Sequence, residues 1–487
     1  MPCHRLVLLL LGSAWALIGC RSPSGLREKA GAGISVPEAA HAAGVRGILG
    51  GFARTPVSGT LRALHQGSET LTGWTKPDLP DPDAPTPDLP PLSRGPGMDL
   101  AAFELALDRT AKPIRTRGTV RFLIDGPAYF TALESALRTA REPVDLQVYI
   151  FDNDDVAVAV ADDLKRTADR VPVRVIYDDL GTKVASRVLP PSARHMPKGF
   201  QPPEDIHAYL TANSTIEVRR ISNIFLTSTH TKIITIGTSR AFTGGMNIGR
   251  EYRYDWHDLM AELRGPVVGE LREAFERTHS LTQFAGDFRR ISQMASRRSR
   301  SRRAAAIPEP PGSAEIRILH TRPFDAQIER AIHLAIASAR RRIWIENPYF
   351  ADDRIILALI EARRRGVDVR ILLPAPRATD DSLMQASNRL TASVLLKHGI
   401  RVYHYPGMTH VKAALFDDWA LFGSANYDHL SLRLNEELNL ASSAPAVVRA
   451  LERELFLRDF RASREPSIES LRPKPTDGFA EAVADRL

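Results

Sequence analysis

The chain has 487 residues, of which 43% are hydrophobic and 25% are charged, and its formal net charge is +8. This composition excludes a wholly disordered chain and leaves enough length for two folded domains. The two cysteines, Cys3 and Cys20, both lie near the N-terminus, so the remainder of the sequence holds neither a disulfide framework nor a cysteine-based metal site.

The N-terminus is typical of an exported bacterial lipoprotein. An apolar run, Leu6–Gly19, follows a short basic start, is too short for an ordinary membrane-spanning helix, and ends immediately before Cys20. We expect residues 1–19 to be a signal peptide and Cys20 to carry lipid that anchors the protein in the cell envelope. Because Arg21 follows Cys20, the outer membrane is favoured over the inner membrane. An uncleaved anchor or an ordinary signal peptide is the alternative.

Residues 20–100 are predicted to be a lipidated tether. They contain a Pro-rich, acidic run, Lys76–Leu92, and this composition favours an extended, semi-rigid chain. A short helix is allowed between Gly33 and His65. Such a tether would let a folded core reach a bilayer surface.

From about Val120 onward, strands and helices are predicted to alternate, which is typical of an α/β fold. Strands are predicted at Val120–Leu123, Leu146–Phe151, Val173–Tyr177 and Ile216–Arg220, and helices at Tyr129–Arg141, Val156–Arg170, Phe324–Arg340 and Arg354–Arg365. The segments Val144–Phe151 and Val173–Tyr177 recur as Arg342–Phe350 and Val369–Leu373. This duplication predicts two similar modules, residues 101–288 and residues 313–465.

Two further segments are predicted to be irregular. Residues 289–312 form a linker that contains the basic run Ser296–Arg303. Such a run is either a solvated loop or a binding segment for nucleic acid or anionic headgroups. Residues 466–487 form a polar tail.

The second module contains the stretch THVKAALFDDWALFGSAN, Thr409–Asn426. Its alternating pattern predicts a strand that projects His410 and Lys412 from one face, followed by a turn and a returning strand. The return would bring Ser424 and Asn426 near His410. An imidazole, an ammonium group, a hydroxyl and an amide in one place can bind and attack a phosphoryl group. An incidental surface hairpin is the alternative.

The first module contains a second copy of this pattern, Thr229–Asn247. His230 and Lys232 repeat the spacing, and a Gly-Gly-Met-Asn segment replaces Gly-Ser-Ala-Asn. An acid follows each copy at a similar distance, Asp258 in the first and Glu437 in the second. Two such half-sites would supply two histidines and two lysines to one phosphodiester.

Paired H-x-K…G-[SG]-x-N motifs are the signature of the phospholipase D superfamily, which this chain resembles from about Val120 to about Phe460. Four segments are most similar to the bacterial cardiolipin synthase branch: Ala241–Gly249, Asn347–Phe350, Arg365–Pro374 and Arg433–Leu440. The resemblance implies two modules, each a mixed β-sheet flanked by helices, packed about a pseudo-twofold axis. One active site would lie between them, with both half-sites supplied by one chain.

The resemblance also implies a two-step transfer through a phosphohistidine. His230 would be the nucleophile and His410 the general acid and base. Phosphate oxygens would be held by Lys232, Lys412, Asn247, Asn426 and Ser424, and the imidazoles would be oriented by Asp258 and Glu437. Because the lysines supply positive charge, no metal or other cofactor is expected. His257, beside Asp258, is interpreted as a packing residue.

One position departs from the family pattern. The motif places an Asp on the turn behind the catalytic strand, where the second copy has Asp417 and the first copy has Gly237. In the family this Asp is mostly structural, and Gly also suits a turn, so we expect the site to remain active. Gly245 in place of Ser is common in the synthase branch.

The acceptor would decide the reaction. If the alcohol of a second phosphatidylglycerol attacks, the protein is a cardiolipin synthase; if water attacks, it is a phospholipase D. A nuclease and a non-catalytic membrane-surface binding protein are further alternatives. We expect a phospholipid at a membrane surface as the partner, and no nucleic acid.

Overall fold

The computed structural model describes residues 55–73, 79–80, 87–222, 227–283, 287, 307–376, 378 and 382–471. The predicted signal peptide, Cys20, the basic run Ser296–Arg303 and most of the predicted tail lie outside these residues. None of the helices within the described ranges combines the length and the apolar character needed to cross a membrane.

Fifteen strands form one sheet. The strands of the first half are β1 (Ile114–Ile124), β2 (Val144–Val148), β3 (Val173–Asp178), β4 (Glu217–Ile221), β5 (Ile233–Ile236), β6 (Arg240–Gly244) and β7 (Leu259–Arg264). Those of the second half are β8 (Ala314–Arg322), β9 (Asp325–Ala326), β10 (Arg342–Glu346), β11 (Asp368–Pro374), β12 (Arg401–Tyr405), β13 (Ala413–Phe416), β14 (Trp419–Gly423) and β15 (Glu437–Ser442).

Helices flank the sheet on both sides of each half. Those that precede residue 300 are α1 (Pro56–Gly73), α2 (Leu100–Thr110), α3 (Gly126–Thr139), α4 (Asp155–Ala168), α5 (Asp179–Ala185), α6 (Ile206–Thr211), α7 (Arg250–Tyr254) and α8 (Pro266–Leu281). The later ones are α9 (Gln327–Ser338), α10 (Asp353–Arg364), α11 (Ser382–Lys397), α12 (Pro445–Leu451) and α13 (Leu457–Ala462). The α/β class and the alternation predicted from the sequence are confirmed.

The strand order repeats between the halves. It runs β4-β3-β2-β5-β6-β7-β1 and then β8-β15-β14-β13-β10-β11-β12, with β9 paired to β8. In each half the outer three strands are parallel neighbours and the remaining pairs are antiparallel. Each half is therefore the same seven-strand mixed arrangement, as the internal duplication predicts.

The two halves share strand β1, whereas the resemblance implied two separate sheets. Its first residues, Ile114–Gly118, pair with β8, and its last residues, Thr119–Ile124, pair with β7. The strand is much longer than the predicted Val120–Leu123. Its first part was missed because alternating arginines interrupt the apolar pattern, and Arg115 and Arg117 form ion pairs with neighbouring carboxylates.

An apolar core also joins the two halves. It combines α8 and the β7 side of the first half with α12, β13 and β14 of the second. The rings of Phe122 and Phe422, one from each half, meet edge to face at 5.0 Å. Each half also has a core of its own, beneath α3 and α4 in the first and beneath α2, α9 and α10 in the second.

The described parts of the predicted tether pack on this core, and here the prediction is corrected. Pro56–Gly73 is a helix, and Arg62 forms an ion pair with Glu436 at 2.6 Å. Farther along, the Ser93 backbone N–H donates to the carbonyl of Gly366 at 2.7 Å. A Pro-rich composition cannot supply a core of its own, but its backbone and few polar side chains can hydrogen-bond a core that already exists.

Candidate active site

The two His-x-Lys motifs lie in extended segments immediately before β5 and β13, so each strand is shorter than predicted. The other half of the molecule supplies the backbone partners of these segments. The His230 N–H donates to the carbonyl of Glu436 at 2.9 Å, and the His410 N–H donates to the carbonyl of His257 at 2.6 Å. Each catalytic segment is therefore paired with the segment that carries the opposite module's acid.

The carboxylates are exchanged between the modules. His230 Nδ1 lies 2.9 Å from Glu437 Oε1, and His410 Nδ1 lies 2.7 Å from Asp258 Oδ2. All four side chains are buried. A carboxylate at Nδ1 keeps the proton on that nitrogen and leaves the Nε2 lone pair for a substrate. The sequence predicted that these acids orient the imidazoles, but it did not predict the exchange.

The two lysines are buried beside the histidines. Lys232 Nζ donates to the carbonyl of His230 at 2.7 Å, and Lys412 Nζ donates to the carbonyl of His410 at 2.6 Å. Burial lowers the pKa of Lys232 well below its usual range, and the nearby Lys412 lowers it further, while Glu437 opposes the shift. The two half-sites are therefore close enough to interact electrostatically, as a shared phosphate site requires.

Aromatic rings surround the imidazoles. Tyr149 meets the ring of His230 edge to face at 5.0 Å, and Tyr252 and Trp256 lie 5.7 and 5.1 Å from the ring of His410. Sequence reasoning missed these three residues. The internal repeat marks none of them: Phe151 and Phe350 form equivalent bridges, so the second copy has Pro348 where the first has Tyr149.

The predicted phosphate-binding residues have different surroundings. Asn247 Oδ1 accepts from the backbone N–H groups of Tyr149 and Ile150 at 3.1 and 3.0 Å, which fixes its amide. Asn426 Oδ1 is buried without a hydrogen-bond partner among the described residues. The Asn426 side chain also hydrogen-bonds Asp428. Because an amide oxygen accepts, Oδ1 can receive a hydrogen bond from a substrate hydroxyl but cannot donate to a phosphate oxygen.

The Ser424 hydroxyl hydrogen-bonds the carboxylate of Glu437, so it is not available to donate to a phosphate oxygen. The hydroxyl donates to Glu437 Oε2 at 2.5 Å and accepts from the Leu438 N–H at 3.0 Å. The first module has Gly245 in this place, and a Cβ there would lie 2.2 Å from Asp258 Oδ1. In the first half Gly245 therefore accompanies the shorter acid, Asp258, and in the second half Ser424 accompanies the longer acid, Glu437.

Burial sets the protonation of the site. Desolvation lowers the pKa of His230 to about 4, although the Glu437 carboxylate opposes this shift. Desolvation and the neighbouring Lys412 lower the pKa of His410 well below its usual range. Burial raises the pKa of Asp258 to about 7. Both imidazoles are therefore neutral near pH 7 in the absence of substrate.

Gly237, which stands where the family motif has Asp, lies in a structural turn, and another carboxylate occupies the place of the missing Asp. Gly237 and Asp417 occupy equivalent turns with φ values of 49° and 50°. The Asp417 carboxylate accepts from the backbone N–H groups of Met98, Arg340, Arg341 and Arg342. In the first half, Glu142 fills that space: its Oε2 accepts from the Thr238 N–H at 2.9 Å and lies 1.8 Å from where a Cβ on Gly237 would be.

His257 does more than pack. Its ring stacks on Tyr405 at 4.5 Å, its Nδ1 lies 2.6 Å from Asp125, and its Nε2 lies 3.1 Å from Asp459. Although burial alone would lower it, the hydrogen bonds to Asp125 and Asp459 raise the pKa of His257 to about 11. Burial raises the pKa of Glu346 to about 8. His257, Glu346 and Asp459 lie close enough together to hold a metal ion. A protonated imidazole instead forms ion pairs with Asp125 and Asp459, and these brace the segment that carries Asp258.

Comparison with known proteins places the chain in a family. A family model described as "Cardiolipin synthase, PLD-like domain" matches residues 133–279 and 332–458. Cardiolipin synthase A of Pseudomonas putida (strain W619) is 32% identical over 367 residues, which cover 72% of this chain and 71% of that protein. Cardiolipin synthase A of Pseudomonas entomophila (strain L48) is 31% identical over 376 residues, 74% of this chain and 72% of that protein.

A solved structure shares the fold. The crystal structure of phosphatidylserine synthase from Haemophilus influenzae Rd KW20 aligns with a TM-score of 0.56 over 79% of this chain and 100% of that chain, at 12% identity. At this identity the likeness shows the fold alone. From the matched family model and the similarity to the Pseudomonas proteins, the chain belongs to the cardiolipin synthase family of phospholipase D-like proteins.

Proposed function

We propose that this protein transfers a phosphatidyl group between alcohols at a membrane surface, with phosphatidylglycerol as donor and acceptor and cardiolipin and glycerol as products. The observation that carries the proposal is the exchanged pair of His–carboxylate contacts between the modules, His230 with Glu437 and His410 with Asp258. Two buried imidazoles of fixed tautomer beside two lysines form a site for double displacement at phosphorus.

In the first step, Nε2 of His230 attacks the phosphorus of the donor lipid. The P–N bond forms, the P–O bond to glycerol breaks, and His410 donates a proton to the leaving oxygen. In the second step, His410 takes the proton of the acceptor hydroxyl, whose oxygen attacks phosphorus as the P–N bond breaks. His230 leaves as a neutral imidazole, so protons and charges balance over the cycle.

Substrate binding supplies the protonation that this cycle needs. Both imidazoles are neutral in the free site, which suits the nucleophile but not the general acid. A phosphodiester brings one negative charge between Lys232 and Lys412, and a nearby negative charge raises the pKa of an imidazole. The substrate itself therefore favours the protonated form of His410, and the two histidines titrate as a coupled pair.

The protein is proposed to reach its substrate by lipid on Cys20, with the outer membrane as the location. This part of the proposal rests on the apolar run before Cys20 and on Arg21 after it. Labelling with a radioactive fatty acid tests it, with Cys20→Ser as the variant and Cys3→Ser as the matched control. Label that persists in Cys20→Ser would refute lipidation at this position.

The activity is tested with the purified full-length chain on phosphatidylglycerol vesicles, with lipid products identified by mass spectrometry. His230→Ala and His410→Ala are the test variants. His333→Ala is the matched control, because the charged groups that act on His333, among them Glu329 and Asp352, include no catalytic residue. Cardiolipin and glycerol that are absent in both test variants and present in the control are the expected result.

Two other results would replace the proposal. Phosphatidic acid without cardiolipin would make the protein a hydrolase that uses the same residues. Absence of any lipid product, together with cleavage of DNA that depends on His230 and His410, would make it a nuclease. Trapping the phospholipid-bound protein in acid and mapping the modified histidine by peptide sequencing tests His230 as nucleophile.

A further inference from the structure

We propose that the catalytic end of the molecule is a docking face for an anionic phospholipid bilayer, an inference that rests on the lipid substrate proposed above. The face combines three exposed apolar side chains with three exposed basic side chains around the site. We call it the docking face; its residues are Leu64, Arg194, His195, Lys198, Tyr254 and Phe324.

Its apolar part lies next to the acid of the second module. Strand β8 pairs Thr321 with Glu437 and then continues to the turn that carries Phe324, which is 55% exposed. The ring of His65 on α1 lies 4.5 Å from Phe324, and Leu64 beside it is 61% exposed. Among the described residues, exposed large apolar side chains are few, and half of them lie on the docking face.

Helix α1 is fixed at this end by buried polar contacts. His65 Nε2 lies 2.8 Å from the carbonyl of Arg433, and Arg62 forms its ion pair with Glu436. Glu436 is also the residue whose backbone pairs with His230. The exposure of Leu64 therefore occurs on a helix held in place beside the active site, rather than on a detached segment.

The basic part lies on the opposite side of the site, in the loop between α5 and α6. From Leu180 to Pro203 the sequence contains no Asp or Glu, and Arg194, His195 and Lys198 are exposed. Ser192 fixes the loop, because its N–H and hydroxyl donate to Asp255 at 3.1 and 2.9 Å.

Helix α7 contacts both this loop and the catalytic residue His410. Arg250 Nε on α7 donates to the Ser192 hydroxyl at 2.9 Å. Helix α7 also carries Tyr252, whose ring contacts His410, and it ends in Tyr254, which is 55% exposed. Trp256, two residues after the helix, contacts His410 as well. The basic loop is therefore connected to the site through one short helix.

A cavity of about 550 Å³ lies between the loop and α7. Its walls include Arg194, His195, Arg250, Tyr254 and the carboxylate of Asp255, which is engaged by Ser192. Because Arg250 already pairs with Asp155 at 2.6 Å, Arg194 and His195 beside the Tyr254 ring are the groups that suit the headgroup of a bilayer lipid other than the substrate molecule in the active site.

Two acids beside the docking-face residues are engaged, whereas Glu204 and Asp205 at the end of the basic loop are exposed. Asp255 accepts from Ser192, and Asp325, next to Phe324, pairs with Arg330. Basic side chains on one side of the site and exposed apolar side chains on the other favour a bilayer over nucleic acid, because an acyl layer accepts Leu64 and Phe324 whereas a phosphate backbone does not.

Contact with the bilayer is measured by quenching of tryptophan fluorescence. Phe324→Trp is prepared in the full-length chain, and Leu105→Trp is its matched control. Leu105 is 53% exposed on α2. This helix begins near the Asp417 turn, at the end of β13 that is remote from His410. Vesicles of phosphatidylglycerol with brominated acyl chains are added. The fluorescence added at position 324, after subtraction of the parent protein, is expected to fall by roughly half or more, and that at position 105 to persist.

The contribution of charge is measured with a pair of double variants. Arg194→Glu with Lys198→Glu reverses two charges on the docking face, and Arg109→Glu with Arg141→Glu reverses two exposed charges elsewhere. Turnover of phosphatidylglycerol in vesicles is expected to fall by at least about fivefold per reversed residue in the first pair. Turnover of monomeric short-chain phosphatidylglycerol should stay unchanged in both pairs.

The outcomes separate this inference from the proposed function. Equal quenching at positions 324 and 105, or equal loss of vesicle turnover in both double variants, would overturn the docking face even if cardiolipin forms. Selective quenching at position 324 without any lipid turnover would support the docking face and refute the proposed reaction. Loss of turnover on monomeric lipid in the first pair alone would place Arg194 and Lys198 in substrate binding and also overturn the inference.

Discussion

Replacing Glu437 by Gln tests the exchange of carboxylates between the modules. The change keeps the size of the side chain but removes the charge that lies 2.9 Å from His230 Nδ1. A charge-assisted hydrogen bond in a buried site contributes about 1.5–3 kcal/mol, which corresponds to roughly 10- to 150-fold in rate. The Gln side chain can also present its NH2 group to Nδ1 and favour the wrong tautomer, which costs about 10⁴ in a serine protease triad.

We therefore expect kcat of Glu437→Gln to fall by about 10² to 10⁴, with little change in stability. The assay is the vesicle turnover described above. Glu436→Gln is the matched control: the same chemical change one residue earlier, at a side chain that contacts Arg62 instead of a catalytic histidine. Its kcat should stay within about threefold of the parent, because the Glu436 side chain pairs with Arg62 and contacts no catalytic side chain.

Imidazole nitrogen NMR of the same variants tests the exchange directly. Glu437→Gln should shift the Nδ1 signal of His230 and leave that of His410 unchanged, and Asp258→Asn should do the reverse. If each substitution instead perturbs the histidine of its own module, the exchanged pairing is refuted. A kcat of Glu437→Gln within a few fold of the parent would refute the catalytic role of the contact.

Gly237→Asp should lower the free energy of unfolding by roughly 1–2 kcal/mol, because Glu142 already fills the turn, and adding Glu142→Ala should restore the stability. Urea titration measures both variants, and a Gly237→Asp protein as stable as the parent would contradict the proposed compensation. Gly245→Ser should reduce turnover at least tenfold, as expected for a ~1.4 kcal/mol effect, because its Cβ collides with Asp258; unchanged turnover would contradict this. His257→Gln should destabilise by about 3 kcal/mol below pH 6.5. The pKa of His257 is raised to about 11 on folding, so its contribution declines as pH rises toward 11; a Tm deficit that is equal at pH 6 and pH 10 would contradict this.

The sequence predicted the chemistry of the site because that chemistry is duplicated. His230 and Lys232 recur as His410 and Lys412, and a repeated spacing is visible without any structure. The α/β class followed from the alternation of strands and helices for the same reason. Local periodicity and internal repetition are properties of the chain itself, so they can be read along it.

The missed features depend on which distant segments meet. Nothing in the spacing of Glu437 indicates that it contacts the histidine of the other module, because the exchange arises when the two halves pack. Glu142 lies 95 positions before the Gly237 turn it fills, and only the pairing of β2 with β5 brings them together. Helix α1 was assigned to a tether because its anchoring partner, Glu436, is remote in sequence.

The exchange also explains why the two modules form one sheet. A half-site of this protein is incomplete: His230 needs an acid from the second module, and His410 needs an acid from the first. A relative displacement of the halves would disturb both contacts, because each joins a histidine of one half to a carboxylate of the other. Strand β1, paired to both halves, restrains that displacement. The continuity of the sheet is therefore part of how the imidazoles are held ready for a phosphodiester, because preorganisation of a site depends on the rigidity of the elements that carry it.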